Sequence, residues 1–174
     1  MKLYIKIFMI ALIFTGCDKD KPTCQGIDCL PPATQTGAGT FGCLVNGVPY
    51  VDNSGRFNCF YQLLNGIYYF GIASTKDYGS IQQLVILSYM KEIDLNVSIP
   101  LDDRANGNFF SEIAFDCICP NGITTSTVDG LITFTKFTTN PNIVSATFEF
   151  KIKNPSTGVV YEITKGRFDA KFTQ

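Results

Sequence analysis

The feature that most constrains the fold is an alternation of apolar and polar residues along short segments. Residues 131–137 read Leu-Ile-Thr-Phe-Thr-Lys-Phe, and further on Ala146, Phe148, Phe150 and Ile152 occupy every second position. A period of two residues is typical of a β-strand with one buried face. No segment shows a helical period over more than two turns. The sequence therefore predicts an all-β fold.

Turn signals separate these segments. Asn46-Gly47 and Asn65-Gly66 each lie between two strand-like segments, and this dipeptide favours a two-residue hairpin turn because both positions tolerate positive φ. Turn residues recur about every 8–12 residues and delimit roughly nine to eleven strands, of which the last two are residues 159–165 and 167–172. This number indicates a single antiparallel β-sandwich or a barrel-like domain.

The N-terminal residues 1–16 have the layout of a lipoprotein signal peptide. Two lysines precede an apolar run at residues 7–14, and Thr15-Gly16 comes directly before Cys17. The run is too short to span a bilayer, which takes ~20 residues. The small pair before the cysteine resembles the bacterial lipobox, although Phe14 stands where leucine is more usual. We expect Cys17 to be lipidated; the alternative is an ordinary cleaved signal with an incidental cysteine.

Residues 17–39 are predicted to be the lipidated cysteine and a flexible tether, followed by an all-β domain at residues 40–174. The tether is rich in Pro, Gly, Thr and Gln and has no apolar period, which favours an extended spacer. Its first charged residues, 18–21, look like the export signals of some surface lipoproteins; the alternative is a solvated start to the linker. We expect an outer-membrane location, on the periplasmic face or at the cell surface.

Composition excludes several classes of protein. The sequence contains no histidine, which removes Ser-His-Asp and Cys-His catalysis and the commonest metal ligand. The net charge is −1 without a basic cluster, whereas binding nucleic acid needs concentrated Lys and Arg. Hydrophobic residues make up 45% of the chain and charged residues 17%, so a sizeable core can form. We expect a folded domain that does not bind nucleic acid.

Two motifs mark the ends of the predicted domain. Residues 30–37 read Leu-Pro-Pro-Ala-Thr-Gln-Thr-Gly and are followed at 40–47 by Thr-Phe-Gly-Cys-Leu-Val-Asn-Gly, while residues 163–169 read Ile-Thr-Lys-Gly-Arg-Phe-Asp. These motifs, with the strand at 146–150, resemble a family of uncharacterised Bacteroidetes lipoproteins of flavobacterial type. The resemblance spans about residues 30–172 and is weaker in the middle. It implies an envelope location and a β fold, and the family has no assigned catalytic residues to carry over.

Six cysteines follow the predicted anchor, namely Cys24, Cys29, Cys43, Cys59, Cys117 and Cys119. An even number in an exported protein indicates disulfides. Cys24 with Cys29 is the simplest local pair. Cys117 and Cys119 would face one side of a strand, and each could reach a different partner, Cys43 or Cys59, on strands expected to be neighbours. A four-cysteine zinc site is the alternative, disfavoured by the spacing.

Aromatic residues are concentrated in the first half of the predicted domain. Tyr61, Tyr68 and Tyr69 could form a platform for a sugar or a peptide, because tyrosine offers an apolar face and a polar tip. Core packing is the alternative, since aromatic residues are favoured in strands. Adjacent strand residues face opposite sides, so we expect at least one of Tyr68 and Tyr69 to be exposed.

Two further kinds of site have weaker support. Residues 102–108 resemble a calcium loop, but Arg104 occupies a ligand position and Ile113 stands where a glutamate is needed, so an exposed turn is favoured. Paired carboxylates can hydrolyse a glycoside without histidine; the candidates, none in a recognisable motif, are Asp77, Glu92, Asp94, Asp116, Asp129 and Glu149. We expect no metal, no cofactor and no catalysis.

The sequence thus predicts a lipid-anchored outer-membrane protein that is a non-catalytic binding or structural module with a protein or glycan partner. One alternative is an accessory subunit of an outer-membrane complex, which a contiguous exposed apolar patch would favour. A concave, Tyr-lined pocket would instead favour a small ligand or glycan. The other alternative is a carboxylate-based glycoside hydrolase, which requires two carboxyl groups ~5–10 Å apart.

Overall fold

A computed structural model of the chain describes residues 24–76, 81–89, 92–105, 107–115, 122–125 and 130–174. In these residues eleven strands form two antiparallel sheets that pack face to face. The all-β class is therefore confirmed, and of the two predicted arrangements the sandwich is the one found. No helix in this part of the chain is long and apolar enough to cross a membrane. The predicted signal peptide and Cys17 lie outside the described residues.

Within each sheet, neighbouring strands run antiparallel. Across the first sheet the order is β2 (Val48–Val51), β1 (Thr40–Val45), β11 (Val160–Lys171), β10 (Asn142–Lys153), β9 (Gly130–Thr139) and β6 (Ser98–Pro100). Across the second sheet it is β3 (Asn58–Leu64), β4 (Ile67–Thr75), β5 (Ile81–Tyr89), β7 (Phe109–Phe115) and β8 (Gly122–Ile123). A short 3₁₀ helix, Gly26–Cys29, packs against β1 and β2.

The core lies between the sheets and follows from the alternation in the sequence. On β10, Phe148, Phe150 and Ile152 are buried, and the residues between them are exposed. Rings from the two sheets meet in the middle, where Phe70 of β4 packs edge-on against Phe134 of β9 with 5.3 Å between ring centroids. Burial of these apolar side chains is the main favourable contribution to folding.

Both Asn-Gly dipeptides form two-residue hairpin turns, as predicted. Asn46 and Gly47 have φ angles of 49° and 80° between β1 and β2. Asn65 and Gly66 have φ angles of 53° and 80° between β3 and β4. Positive φ at both positions matches the twist of the flanking strands. These turns set the register of both hairpins.

The last two predicted strands are one continuous strand, β11, so the prediction is wrong in this detail. Pairing with β10 passes from Phe148–Gly166 to Phe150–Ile163, which leaves one extra residue in β11. Lys165 lies in this bulge with a φ of 53°, and a bulge residue in the left-handed region is a known pattern. A Cβ on Gly166 would lie 2.3 Å from the Phe148 ring. The bulge bends the strand without ending it.

Residues 24–39 are bound to the sandwich, although the sequence assigned them to a flexible tether. Leu30 is buried, and Pro31 packs directly over Gly42 of β1. The Nε atom of Arg167 donates a hydrogen bond to the Pro31 carbonyl at 2.6 Å. The contacts of the domain therefore begin before the predicted boundary at Thr40. Sequence composition does not reveal this docking, because Arg167 is 136 residues from Pro31 in the chain.

One buried carboxylate holds the segment in place. Asp169 of β11 is fully buried, and its side chain accepts hydrogen bonds from Thr34 Oγ1 at 2.6 Å, from the N–H groups of Thr36, Gly37 and Ala38 at 2.9, 2.8 and 3.1 Å, and from Ser145 Oγ at 2.8 Å. Burial raises the pKa of Asp169, but these hydrogen bonds outweigh it and hold the pKa well below its usual value. We call this group the Asp169 clamp.

Candidate functional site

A cavity of about 570 Å³ opens at one end of the sandwich. Strands of both sheets and the chain near the C-terminus contribute to its lining, which comprises Tyr61, Leu63, Tyr68, Glu92, Ile93, Phe137, Thr139 and Gln174. The volume lies within the ~300–1,000 Å³ range of ligand sites in proteins. We call it the aromatic cavity.

Strand geometry brings the lining residues together. Tyr61 and Leu63 are two residues apart on β3 and therefore face the same side, and Tyr68 of β4 lies opposite Leu63 in the ladder. On the facing sheet, Phe137 comes three residues after Phe134, which would normally turn it to the other side. A register shift in the β9–β10 ladder adds one residue between them, so both phenylalanines pack against the core.

Stacked aromatic rings form the wall of the cavity. The rings of Tyr61 and Tyr68 are nearly parallel, at 12°, with centroids 5.1 Å apart. Phe137 packs edge-on against Tyr61 at 4.9 Å and stacks on Phe172 at 5.3 Å. Tyr61 is only 8% exposed, whereas Tyr68 and Phe137 are half-buried. The contacts fix the rings while leaving part of two of them accessible, which suits stacking against a ligand.

The cavity lining also includes two polar groups, the Tyr61 phenol and the Glu92 carboxylate. Burial raises the pKa of Tyr61 to about 12, with smaller contributions from nearby Tyr68 and Glu92. The Tyr61 phenol is therefore neutral at physiological pH and can both donate and accept a hydrogen bond. Glu92 is exposed and supplies the carboxylate of the lining. The arrangement suits a ligand with an apolar body and hydroxyl or cationic groups.

Two of the three tyrosines predicted as a platform meet at this cavity, and Tyr69 does not. Tyr69 follows Tyr68 on β4 and faces the outer side of the second sheet, beside its ladder neighbour Gln62 of β3. Sequence reasoning missed Phe137, which comes from a strand about seventy residues away. The sequence does contain one signal for Phe137: its three-residue spacing from Phe134 interrupts the alternation and indicates a bulge.

Cys24 and Cys29 form a disulfide, as predicted, with 5.0 Å between their Cα atoms. Cys43 and Cys59 are buried free thiols, so their predicted pairing with Cys117 and Cys119 is not formed. That prediction assumed neighbouring strands, but β1 and β3 belong to different sheets. Burial raises the pKa of both thiols to about 12 and keeps them protonated. Cys117 and Cys119 themselves lie outside the described residues.

The other candidate sites are dispersed. In the loop from Asp102, the Asp103 carboxylate accepts hydrogen bonds from Ala105 N–H and the Asn108 side chain, and Arg104 pairs with Glu112. No group of three metal-ligating side chains occurs within the described ranges. Asp94 is exposed, Glu149 lies on the outer face of the first sheet, and Asp77, Asp116 and Asp129 fall outside the described residues.

Smaller grooves of about 300 and 230 Å³ lie on the outer face of the first sheet. Their lining mixes charges of both signs, and one ion pair there, Lys151 with Glu162 at 3.5 Å, is solvent-exposed. Exposed pairs of this kind contribute little to stability, and both grooves are smaller than the aromatic cavity. The aromatic cavity is therefore the better candidate for a binding site.

No protein-family model matches the chain, and no curated protein or solved structure matches it either.

Proposed function

We propose that this chain is a lipid-anchored outer-membrane protein whose β-sandwich is a non-catalytic binding module, with the aromatic cavity as its site. The observation that carries the proposal is the cavity itself, in which Tyr61, Tyr68 and Phe137 stand beside the Glu92 carboxylate. Aromatic faces stack on sugar rings and on apolar parts of peptides, and the phenol and carboxylate bind their polar groups. Glycans and polypeptides are therefore the proposed ligand classes.

The lipid anchor is supported by the basic start, the short apolar run and the small pair before Cys17. Residues 24–39 belong to the fold, so six residues, 18–23, separate the proposed lipidated cysteine from it in the sequence. Seven peptide units from Cys17 to Cys24 span at most ~25 Å, at ~3.5 Å per residue. The anchored sandwich would thus stay close to the membrane. Membership of the resembled lipoprotein family is part of the same proposal.

The non-catalytic assignment is supported by the chemistry of the lining. A glycoside hydrolase that uses carboxylates needs two of them ~5–10 Å apart, and among the described lining residues of the aromatic cavity Glu92 is the acidic side chain. An accessory subunit of an outer-membrane complex is the second candidate. It is favoured by exposed apolar side chains on β3, namely Leu63 of the cavity lining and the next residue, Leu64, which are 56% and 53% exposed.

The binding site is tested by calorimetry with a panel of neutral oligosaccharides and short peptides. We expect Tyr68→Ala to weaken binding of a panel member about tenfold, since one aromatic stacking contact contributes ~1 kcal/mol or more. Tyr69→Ala is the matched control, because it removes the neighbouring ring on the opposite face. Equal affinities of both variants and the wild type would contradict the proposed site.

The anchor is tested by intact mass measurement of the protein extracted from native membranes. We expect a diacyl or triacyl adduct on Cys17, absent from Cys17→Ser. A mature chain without lipid would refute the proposed location.

A further inference from the structure

The four edges of the two sheets differ in how well they resist pairing with another chain. β2 has four residues and contains Pro49, β6 has three and ends at Pro100, and β8 has two. Short length and proline both discourage strand addition. β3 has seven residues, Asn-Cys-Phe-Tyr-Gln-Leu-Leu, with neither proline nor charge. Among the edges of the described sheets, β3 is the one suited to accept a strand.

The chain already occupies the first half of this edge. Thr173 forms a parallel bridge with Phe60. The Tyr61 N–H donates to the Thr173 carbonyl at 2.9 Å, and the Thr173 N–H donates to the Cys59 carbonyl at 3.1 Å. These bonds show that the odd-numbered residues of β3 direct their backbone groups to the edge. They also show that the edge accepts a parallel partner.

No described residue pairs with the second half of the edge. Leu63 is the next odd-numbered residue, so its N–H points to the edge together with the Tyr61 carbonyl. Neither group has a hydrogen-bond partner among the described residues. Leu63 and Leu64 are also more than half exposed. An added strand would satisfy the open backbone groups and cover both leucines.

The direction of such a strand decides where its side chains go. Phe172 packs on Tyr61 and Gln174 lines the aromatic cavity, while Thr173 between them faces the other side. A strand added in line with this segment continues the same alternation. Its inner-facing side chain therefore enters the aromatic cavity, which gives the edge a means of selecting sequence.

The charge of the cavity selects the side chain. Glu92 is the charged residue of the described lining, and it stands near the rings of Tyr61 and Tyr68. A lysine or arginine can lay its methylene groups along aromatic faces and bring its charge to a carboxylate. An acidic side chain would be repelled.

We infer that the open half of β3 binds an extended polypeptide segment that adds a parallel strand beside Tyr61 and Leu63 and inserts a lysine or arginine into the aromatic cavity. This inference rests on the proposed function of the cavity and names its partner as a protein. The free backbone groups of β3 distinguish a polypeptide from a glycan, since a glycan has no main chain to complete the ladder.

The test is calorimetry on the full-length protein in detergent with the capped peptide Thr-Lys-Val-Thr. Its first residue follows the position of Gln174 and faces the same side as Thr173, so its lysine faces the aromatic cavity. We expect the Lys→Glu peptide and the peptide N-methylated at its first threonine to bind at least about tenfold more weakly. The first loses the charge contact with Glu92, and the second loses the hydrogen bond to the Tyr61 carbonyl. Glu92→Gln should bring the Lys and Glu peptides within about threefold of each other.

Leu63→Pro removes the open N–H but no hydrogen bond between β3 and β4, because that N–H points away from β4. We expect this variant to bind the Lys peptide about tenfold more weakly, whereas the matched control Leu63→Ala, which keeps the N–H, loses less affinity. If Leu63→Pro fails to fold, the N-methylated peptide tests the same ladder on the wild type.

Equal binding of the N-methylated and unmodified peptides, or of the Lys and Glu peptides, would overturn the inference, as would failure of the Lys peptide to bind at all. An oligosaccharide that binds the wild type and Leu63→Pro alike, but not Tyr68→Ala, would overturn strand addition while supporting the proposed cavity function. The two failures are therefore distinguishable.

Discussion

The Asp169 clamp and the aromatic cavity both bring together residues that are far apart in the sequence. They differ in how completely their side chains are covered or hydrogen-bonded. In the clamp, a fully buried carboxylate is saturated by hydrogen bonds from Thr34, Thr36, Gly37, Ala38 and Ser145. At the cavity, the half-buried rings of Tyr68 and Phe137 and the exposed side chain of Leu63 remain partly accessible. A saturated site has nothing left to offer a partner, whereas an incompletely covered one does.

This difference separates stability from binding. The clamp holds residues 34–38 against the sandwich, so its loss should lower the free energy of unfolding. The cavity leaves aromatic area exposed at some cost in stability, and its loss should change ligand affinity more than folding.

The largest effect is expected for Asp169→Asn. The substitution removes the charge and sets an amide donor against the donors of the segment, so we expect a loss of about 3 kcal/mol in the free energy of unfolding. Urea denaturation measures it, and limited proteolysis should cut residues 24–39 faster. Glu162→Gln, in an exposed ion pair, is the control and should change stability by less than about 0.5 kcal/mol. Similar values for both variants would break the comparison.

Acid should weaken the clamp selectively. The pKa of Asp169 is lowered from its usual 3.8, so its contribution to stability is fully present above that pH and is lost as the pH falls below it. We expect the unfolding free energy of the wild type to drop more steeply below about pH 4 than that of Asp169→Asn. Parallel profiles for the two proteins would show that another carboxyl group controls acid unfolding.

A smaller effect on stability is expected for Tyr68→Ala. The ring is half-buried and its main described contact is the stack on Tyr61, so the loss should be about 1.5 kcal/mol, or roughly half that of Asp169→Asn. Thermal or urea unfolding measures it alongside the binding assay. A loss larger than that of Asp169→Asn would mean that the cavity wall is a structural core.

The parts of the fold that the sequence predicted are those encoded by neighbouring residues. Asn46-Gly47 and Asn65-Gly66 set two hairpins locally, and the alternation on β10 sets its buried face. The sequence predicts a strand end near Gly166, because glycine favours turns, whereas the structure has a bulge at Lys165 within β11. Docking of residues 34–38 depends on Asp169, more than 130 residues away, and no local pattern reveals it.

The candidate site was predictable only in part for the same reason. Tyr61 and Tyr68 belong to one hairpin, so their shared face follows from strand periodicity. Phe137 and Glu92 reach the cavity only through the packing of the two sheets. Tyr69 could not be separated from Tyr68 without knowing which face of β4 is buried. Likewise, the expectation that the strands of Cys43 and Cys59 are neighbours was wrong, because β1 and β3 belong to different sheets.

The most direct test of a binding site at the aromatic cavity is NMR of the protein with isotopically labelled tyrosine, titrated with the Lys peptide and with the oligosaccharide panel. Tyr61 and Tyr68 are assigned by single substitution, and Tyr69 serves as the internal reference on the opposite face. We predict that a ligand shifts the ring resonances of Tyr61 and Tyr68 and leaves those of Tyr69 in place. Ligand-induced shifts at Tyr69 alone, or none at Tyr61 and Tyr68 with any member of either class, would contradict it.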